Sequence, residues 1–332
     1  MKNLIIALSK AAVTALLFYL LFRRVDFHEF AGVLRNAQLH ILLLAFMILW
    51  IGHYLCIIRW RMLMRPVMPT PSVSNLWGIY FIGLFFNLAF PTVVGGDVVK
   101  MYYAGKPSKR FAQSFAATFL DRDAGMLAMM IIACTAVLVR PMDLPGIPIR
   151  FIVWTVFLAF VFANIAIFTP FLHRLLTKML NKVHLSRMAA KIDTISNVFR
   201  VMGKHWTVLV NSLAVSLVNQ LLGIFLTWIM AEGLRIHVSL FEFLVFVPVV
   251  TLISMIPVSL NGMGLREYAF VSLLGAIGVG RESSVALGLL ASAFTFLSGI
   301  PGGVVYVFFR NRSDLRQIAA LETDFAWQDK PI

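Results

Sequence analysis

Residues 39–58 read LHILLLAFMILWIGHYLCII and contain no acidic residue, lysine or arginine. A helix needs about 20 predominantly apolar residues to cross the hydrocarbon core of a bilayer, so this stretch predicts a membrane span. It ends at Arg59, which Arg61 and Arg65 follow. Arginines directly after an apolar run are typical of a loop on the cytoplasmic side of a membrane.

The same pattern extends over most of the chain. Hydrophobic residues make up 60% of the 332 residues and charged residues 13%, which is too little charge for the surface of a soluble domain. The further apolar runs are 4–22, 76–90, 115–139, 151–168, 208–230, 241–256, 268–279 and 284–309. The sequence therefore predicts an all-α integral membrane protein that crosses the cell (inner or plasma) membrane several times.

Two of these runs are interrupted by residues that break helices. The residues that break run 76–90 are Pro91, Gly95 and Gly96, and those that break run 241–256 are Pro257, Gly262 and Gly264. Secondary transporters place their substrate sites at such interrupted helices, often in two repeats of opposite orientation. The two interruptions therefore predict an inverted repeat with a binding site at the breaks.

The distribution of charge predicts the orientation of the chain. Lys and Arg number 29 against 15 Asp and Glu, which gives a net charge of +14. The basic regions are 59–65, 100–110, 171–206 and the tail from residue 310. If residues 76–99 dip into the membrane and return, all four regions lie on the cytoplasmic side. We predict a helical bundle with about six full spans plus two broken or re-entrant elements, and both termini in the cytoplasm.

Residues 1–310 are predicted to form one polytopic transmembrane domain, and residues 311–332 a polar cytoplasmic tail. Within the cytoplasmic segment 171–206, apolar residues from Leu172 to Val183 recur at helical spacing opposite Arg174 and Lys178. This pattern predicts a basic amphipathic helix, which lies along the membrane surface or packs on the cytoplasmic face of the bundle. No recognition motif supports nucleic acid as a partner.

The first interruption combines glycines with charge. Gly95 and Gly96 let backbone N–H groups approach a ligand without a side chain in the way, and Lys100 adds a positive charge. If a short helix begins after Asp97, its N-terminus and Lys100 predict a site for a phosphate group. The alternative is that Asp97 is an N-cap and the glycines form a turn.

Three charged residues fall inside one apolar run: Asp121, Arg122 and Asp123. Charges inside a membrane span are costly, and they are usually paired or functional. Arg122 could bind a phosphate group in the fork geometry of its guanidinium, while the aspartates could pair with Lys100 or Arg266 or carry a proton. Adjacent helical residues point about 100° apart, so the three cannot all face one partner. The alternative is a charged cluster near the entrance of the helix.

The second interruption places a charged pair, Arg266 and Glu267, directly after Gly262 and Gly264. Non-helical backbone at membrane depth is tolerated only against protein or a water-filled cavity. The pair therefore predicts either part of a substrate site or a structural salt bridge. No nucleophile–base pair and no H-E-x-x-H metal motif accompany these charges, so neither an enzyme, a metal site nor a cofactor is predicted.

In the order and spacing of these motifs, the chain resembles the flippase-like transmembrane family, which includes the membrane half of lysylphosphatidylglycerol synthases. The motifs that carry the likeness are Gly95-Gly96-Asp97, Asp121-Arg122 and Gly262-x-Gly264-x-Arg266-Glu267, within roughly residues 5–310. The family's charged positions fall on Asp97, Arg122, Arg266 and Glu267. No synthase domain follows Phe309, so transfer of an amino acid to lipid is not expected.

The resemblance implies lipid translocation, or a role in envelope lipid or polyprenyl-linked glycan pathways. We predict a transporter that moves or binds an anionic phospholipid or a polyprenyl-linked lipid through the charged residues at the broken helices. The alternatives are a membrane-embedded enzyme and an accessory protein of lipid or lipid-linked glycan synthesis. The expected partners are membrane lipids with anionic headgroups, and a second copy of the chain or a lipid-pathway enzyme is a further possibility.

Overall fold

The computed structural model describes residues 2–89, 95–140, 146, 148–168, 178 and 186–309, and all regular structure within these ranges is helical. The helices are α1 (Lys2–Phe22), α2 (Phe27–Arg35), α3 (Leu39–Met64), α4 (Val73–Ala89), α5 (Gly95–Gly105), α6 (Phe111–Val139), α7 (Ile149–Phe168), α8 (Ser186–Lys204), α9 (Trp206–Gly233), α10 (Leu240–Ser254), a 3-10 turn (Leu260–Gly262), α11 (Leu265–Gly275) and α12 (Arg281–Phe309). The predicted all-α class is confirmed.

Four of these helices, α3, α6, α9 and α12, are long and apolar enough to cross a membrane. Shorter apolar helices lie at Ser9–Phe22, Val73–Leu88, Ile149–Ile165 and Leu240–Ser254. Both the long and the short apolar helices expose large apolar side chains, for example Phe162 of α7 (74% exposed) and Phe308 of α12 (85% exposed). Exposed apolar side chains of this size are suited to contact with lipid. The chain is an integral membrane protein. The count of six full spans and the cytoplasmic placement of both termini stay predictions.

The chain divides into two compact units. The hairpin unit comprises Met1–Gly52, Trp77–Lys100 and Leu222–Ile332, and the α6 unit comprises His53–Leu76 and Met101–Leu221. The predicted tail, residues 311–332, lies outside the described residues, as does the predicted amphipathic stretch 172–183 except Lys178.

In the hairpin unit, α4 and the start of α5 form the first helical hairpin. The Gly96 N–H donates to Asn87 Oδ1 over 2.8 Å, and the aliphatic part of Lys100 packs on Gly83. A Cβ at Gly96 would collide with the carbonyl oxygen of Gly83, so only glycine permits this approach. The two helices therefore run antiparallel, as a re-entrant element requires, although residues 90–94 lie outside the described residues.

The second hairpin consists of α10, α11 and the turn between them. Gly262 (φ 75°) and Gly264 (φ 82°) adopt positive φ values, which favour glycine. At Gly262 a side chain would also meet the Ser254 carbonyl oxygen at 2.5 Å. The glycines that predicted a break therefore form the turn that sends α11 back along α10.

One helix of the same unit, α12, packs against both hairpins through small residues. Gly288 lies against Glu267 of α11, with the position of a Cβ 2.9 Å from the Glu267 Cα. Ten or more residues later, Gly299 contacts Leu88 and Gly302 lies against the Phe81 carbonyl, both of α4. Small residues allow this close approach between helices in lipid, where no hydrophobic effect drives helices together.

The α6 unit is organised around α6, whose buried face carries alanines, Asp121 and Gly125. Helices α7 and α8 pack against it. The ring of Phe119 on α6 makes an edge contact with Phe199 on α8, with centroids 5.5 Å apart. Val198 and Met202 of α8 are buried too, so this part of the predicted cytoplasmic segment packs on protein.

Candidate functional site

The charged pair of the second hairpin begins α11. Gly264 is the residue before the first turn, and its N–H donates to Glu267 Oε2 over 2.7 Å. Glu267 is fully buried, with 0% of its surface exposed. Because the free N–H groups of a helix N-terminus carry partial positive charge, they stabilise the carboxylate at this position. Glu267 thus fixes the start of α11 and the direction of the neighbouring side chain.

Ser292 of α12 connects the two charges. Its hydroxyl donates to Glu267 Oε1 over 2.6 Å and accepts from Arg266 Nη1 at 3.1 Å. Arg266 and Glu267, for which the sequence predicted a salt bridge as one alternative, are therefore connected through the Ser292 hydroxyl. Since Glu267 is also bonded to the Gly264 N–H, both of its oxygens have partners, and the carboxylate holds Ser292 as an oriented acceptor for Arg266.

Arg266 also faces a cavity. A space of about 190 Å³ in the hairpin unit is lined by Arg266, Phe294 and three threonines, together with apolar residues of α3, α9, α10 and α11. A guanidinium has five N–H donors. Within the described chain, the hydrogen bond that Arg266 makes is the one to Ser292. Its other donors are available to a ligand or to water in the cavity.

The threonines that line this cavity use their hydrogens within their own helices. Thr227 donates to Gly223 over 2.9 Å, Thr251 to Val247 over 2.7 Å and Thr295 to Ala291 over 2.9 Å. Each threonine oxygen can therefore act only as an acceptor for a further group. The cavity combines one cationic donor with several acceptors, which suits a negatively charged group that also carries hydroxyls or bound water.

At the first hairpin, Lys100 and the Gly96 N–H, two of the groups expected to hold a phosphate, have partners within the chain. Lys100 Nζ lies 3.2 Å from Asp97 Oδ1 and 5.2 Å from the ring centroid of Tyr80. Both charged residues are buried, and the Gly96 N–H is bonded to Asn87. Helix α5 begins at Gly95 rather than after Asp97, so the expected helix start is wrong and Asp97 lies within the first turn instead of capping it.

In the α6 unit, Asp121 pairs with Arg59. Arg59 Nε donates to Asp121 Oδ1 over 2.7 Å, and Arg59 Nη1 donates to the Ser216 hydroxyl over 2.8 Å. The predicted cations for this aspartate were Lys100 and Arg266, and the structure supplies a different one. Arg59 itself was expected in a cytoplasmic loop, but α3 continues through it to Met64 and buries it to 5% exposure.

The two charged residues that follow Asp121 along α6 have other surroundings than Asp121. Asp123 is half-buried and shares a side-chain hydrogen bond with Asn164 of α7. Arg122 is half-buried and interacts with other groups of the chain. The three charges thus have different surroundings, as the helical geometry predicted.

The predicted site residues fall into the two units separately. The hairpin unit contains Gly95, Gly96, Asp97, Lys100, Gly262, Gly264, Arg266 and Glu267, and the α6 unit contains Asp121, Arg122 and Asp123. Four residues that complete their contacts were not predicted: Arg59, Asn87, Asn164 and Ser292. Three of these four carry neutral polar side chains, which a sequence does not distinguish from other Ser and Asn residues in apolar helices.

Comparison with known proteins identifies the family. The model of the lysylphosphatidylglycerol synthase TM region family matches residues 6–303, which is most of the chain. The chain belongs to this family, in agreement with the resemblance seen in its motifs. No curated protein gives a significant match to the sequence. No solved structure gives one either.

Proposed function

We propose that this member of the lysylphosphatidylglycerol synthase TM region family moves an anionic lipid between the leaflets of the bilayer, with Arg266 binding the headgroup. Family membership supports a lipid-related membrane role. The observation that carries the proposal is the cavity at Arg266, a largely apolar space with a guanidinium and three threonines in its wall.

The cost of this arginine supports a functional role. A charged side chain inside a membrane span costs at least about 2.5–3.5 kcal/mol, and such residues usually mark a substrate path or pair with another charge. Within the described residues, Arg266 makes one side-chain hydrogen bond, to Ser292, which leaves most of its donors for a ligand or water. By contrast, Lys100 is in direct contact with Asp97, so we assign that pair to stabilising the first hairpin.

In the proposed mechanism, the second hairpin supplies the headgroup site and the acyl chains stay in lipid. Glu267 and Ser292 act as positioning residues: the carboxylate fixes the serine, and the serine fixes the guanidinium. A phosphate oxygen would accept from the remaining Arg266 donors, in the bidentate geometry that Arg favours. Headgroup hydroxyls would donate to the threonine oxygens of the cavity.

The test is a transport assay with the full chain reconstituted in liposomes. Fluorescent phosphatidylglycerol is placed in both leaflets, and a quencher is added outside the liposomes. The measured quantity is the rate at which lipid from the inner leaflet loses its fluorescence. Arg266→Gln should slow transport at least about tenfold, since a charge-assisted hydrogen bond contributes about 1.5–3 kcal/mol. Arg24→Gln, which removes an exposed arginine after α1, is the matched control and should transport normally.

Ser292→Ala separates positioning from charge. It keeps Arg266 but removes the acceptor that orients it, so we expect a partial loss of transport that Ser292→Thr restores. Fluorescent phosphatidylcholine, whose headgroup has no net charge and no hydroxyl, should move more slowly than phosphatidylglycerol. Normal transport of phosphatidylglycerol by Arg266→Gln would refute the proposed headgroup site.

A further inference from the structure

The α6 unit contains a second cavity, which the proposed headgroup site does not use. It has a volume of about 390 Å³ and lies between α6, α7 and α9. Most of its wall is apolar, with Leu127 from α6, Val161 and Ile165 from α7, and Leu213 from α9. Pockets that bind small molecules have volumes of roughly 300–1,000 Å³, so this one is large enough for a ligand.

Three polar side chains lie in this wall: Asp123, Asn164 and Ser212. The Asn164 amide nitrogen donates to the Phe160 carbonyl over 3.2 Å, and the same side chain is hydrogen-bonded to the Asp123 carboxylate. Ser212 donates its hydroxyl hydrogen to the Leu209 carbonyl over 2.8 Å. The cavity therefore offers a ligand three acceptors: the Asp123 carboxylate, the Asn164 amide oxygen and the Ser212 hydroxyl oxygen.

The charge of this wall is negative. The polar partner of Asp123 in the described chain is the neutral amide of Asn164. Asp121, two residues earlier on the same helix, instead has an arginine at 2.7 Å. A carboxylate inside a membrane helix is costly unless a cation or a proton accompanies it. A cavity that is apolar along its length and acidic at one point complements a cation that is attached to an aliphatic chain.

We propose that this cavity binds an amphiphile whose head is a protonated primary amine and whose tail is a single aliphatic chain. The ammonium group donates one hydrogen bond to Asp123 and others to Asn164 Oδ1 and the Ser212 oxygen. The alkyl chain packs against the leucine and valine side chains of α7 and α9. This occupant has the opposite charge to the headgroup assigned to Arg266, so the proposal does not rest on the transport function.

Photo-crosslinking of the full chain tests the proposal directly. The protein is placed in nanodiscs of phosphatidylcholine with hexadecylamine that carries a diazirine in its chain, and adducts are mapped by mass spectrometry. The matched probe is hexadecanoic acid with the same diazirine. The amine should label cavity residues of α6, α7 and α9 at least about tenfold more than the acid, because one charge-assisted hydrogen bond corresponds to about that ratio.

Two variants locate the site. Asp123→Asn keeps the shape of the side chain and removes the charge, so amine labelling should fall about tenfold. Val210→Trp places a larger side chain at a 51% exposed position in the cavity wall, and it should reduce labelling by blocking the space. The matched control is Asp26→Asn, an exposed N-cap of α2 at which Asn caps equally well, and it should label normally.

The outcomes that overturn the proposal are distinct. Equal labelling by amine and acid would show a groove that contacts any acyl chain, and unchanged labelling in Asp123→Asn would remove the carboxylate from the site. Circular dichroism and melting temperature establish that each variant is folded. If Asp123→Asn does not fold, Val210→Trp decides alone, and full labelling of that variant refutes the site. Arg266→Gln should label normally, whatever its transport rate.

Discussion

Replacing Asp121 by alanine removes one partner of a buried ion pair. The Arg59 Nε–H donates to Asp121 Oδ1 over 2.7 Å, and the two side chains are 6% and 5% exposed. In the variant, the guanidinium keeps the hydrogen bond from Nη1 to the Ser216 hydroxyl, which measures 2.8 Å. Removing one partner from a buried pair costs about 3–5 kcal/mol, because the remaining buried charge loses its direct counter-ion. We expect Asp121→Ala to lower the free energy of unfolding by about that amount.

Two further variants make the prediction specific to the pair. Ser216→Ala removes one hydrogen bond to the same guanidinium, so its cost should lie near 1.5–3 kcal/mol, below that of Asp121→Ala. The double variant Arg59→Met/Asp121→Ala removes both charges of the pair. It should be more stable than Asp121→Ala alone, since an apolar side chain of similar length replaces the buried cation.

The measurement is unfolding in mixed micelles with a rising fraction of sodium dodecyl sulfate, followed by circular dichroism. Arg200→Met changes an exposed arginine of α8 and serves as the control, with an expected effect within about 0.5 kcal/mol. Arg59→Met is measured as the second single variant, and the reasoning is refuted if the double variant loses the sum of the Asp121→Ala and Arg59→Met losses. That additivity would mean that Arg59 and Asp121 do not stabilise each other.

Three further substitutions test the packing of the helices by the same unfolding measurement. Gly302→Ala should cost about 1–3 kcal/mol, because its Cβ would collide with the Phe81 carbonyl; no loss would contradict the close approach of α12 to α4. Gly223→Ala, inside α9 with nothing within 4 Å of its Cβ, should instead raise the free energy of unfolding by up to about 1 kcal/mol. Asn87→Leu removes the acceptor of the Gly96 N–H and should cost about 1–3 kcal/mol, with faster hydrogen exchange of that amide; an unchanged exchange rate would contradict the hydrogen bond.

The helices themselves were predictable from the sequence because length, apolarity and breaking residues are local properties. The run 39–58 and the glycines at 262 and 264 each predicted the element that the structure contains. The sequence predicted that this span ends at residue 58, whereas α3 continues for six more residues to Met64. The prediction was too short because an arginine after an apolar run normally marks the membrane surface. Arg59 is buried within α3 and pairs with Asp121, and a partner 62 positions away is not visible in a local pattern.

The contacts of the site were less predictable for the same reason. Glu267 and Arg266 stood out as charges beside a break, whereas Ser292 is one of several hydroxyl residues in α12. Only the fold shows that Ser292, rather than Thr295 or Ser298, lies between the two charges. Serine and threonine are common where membrane helices pack closely, so their presence alone does not mark a site.

The small residues of α12 give this helix a role in both hairpins of its unit. Ser292 and Gly288 contact the start of α11, and Gly302 contacts α4. Ser292 and Gly302 are ten positions apart, which corresponds to about 15 Å along a helix. Interrupted backbone is tolerated in a membrane only where protein or water covers it, and α12 provides protein to both hairpins. The proposed headgroup site and the first hairpin therefore pack on the same helix, at points where its small residues allow close approach.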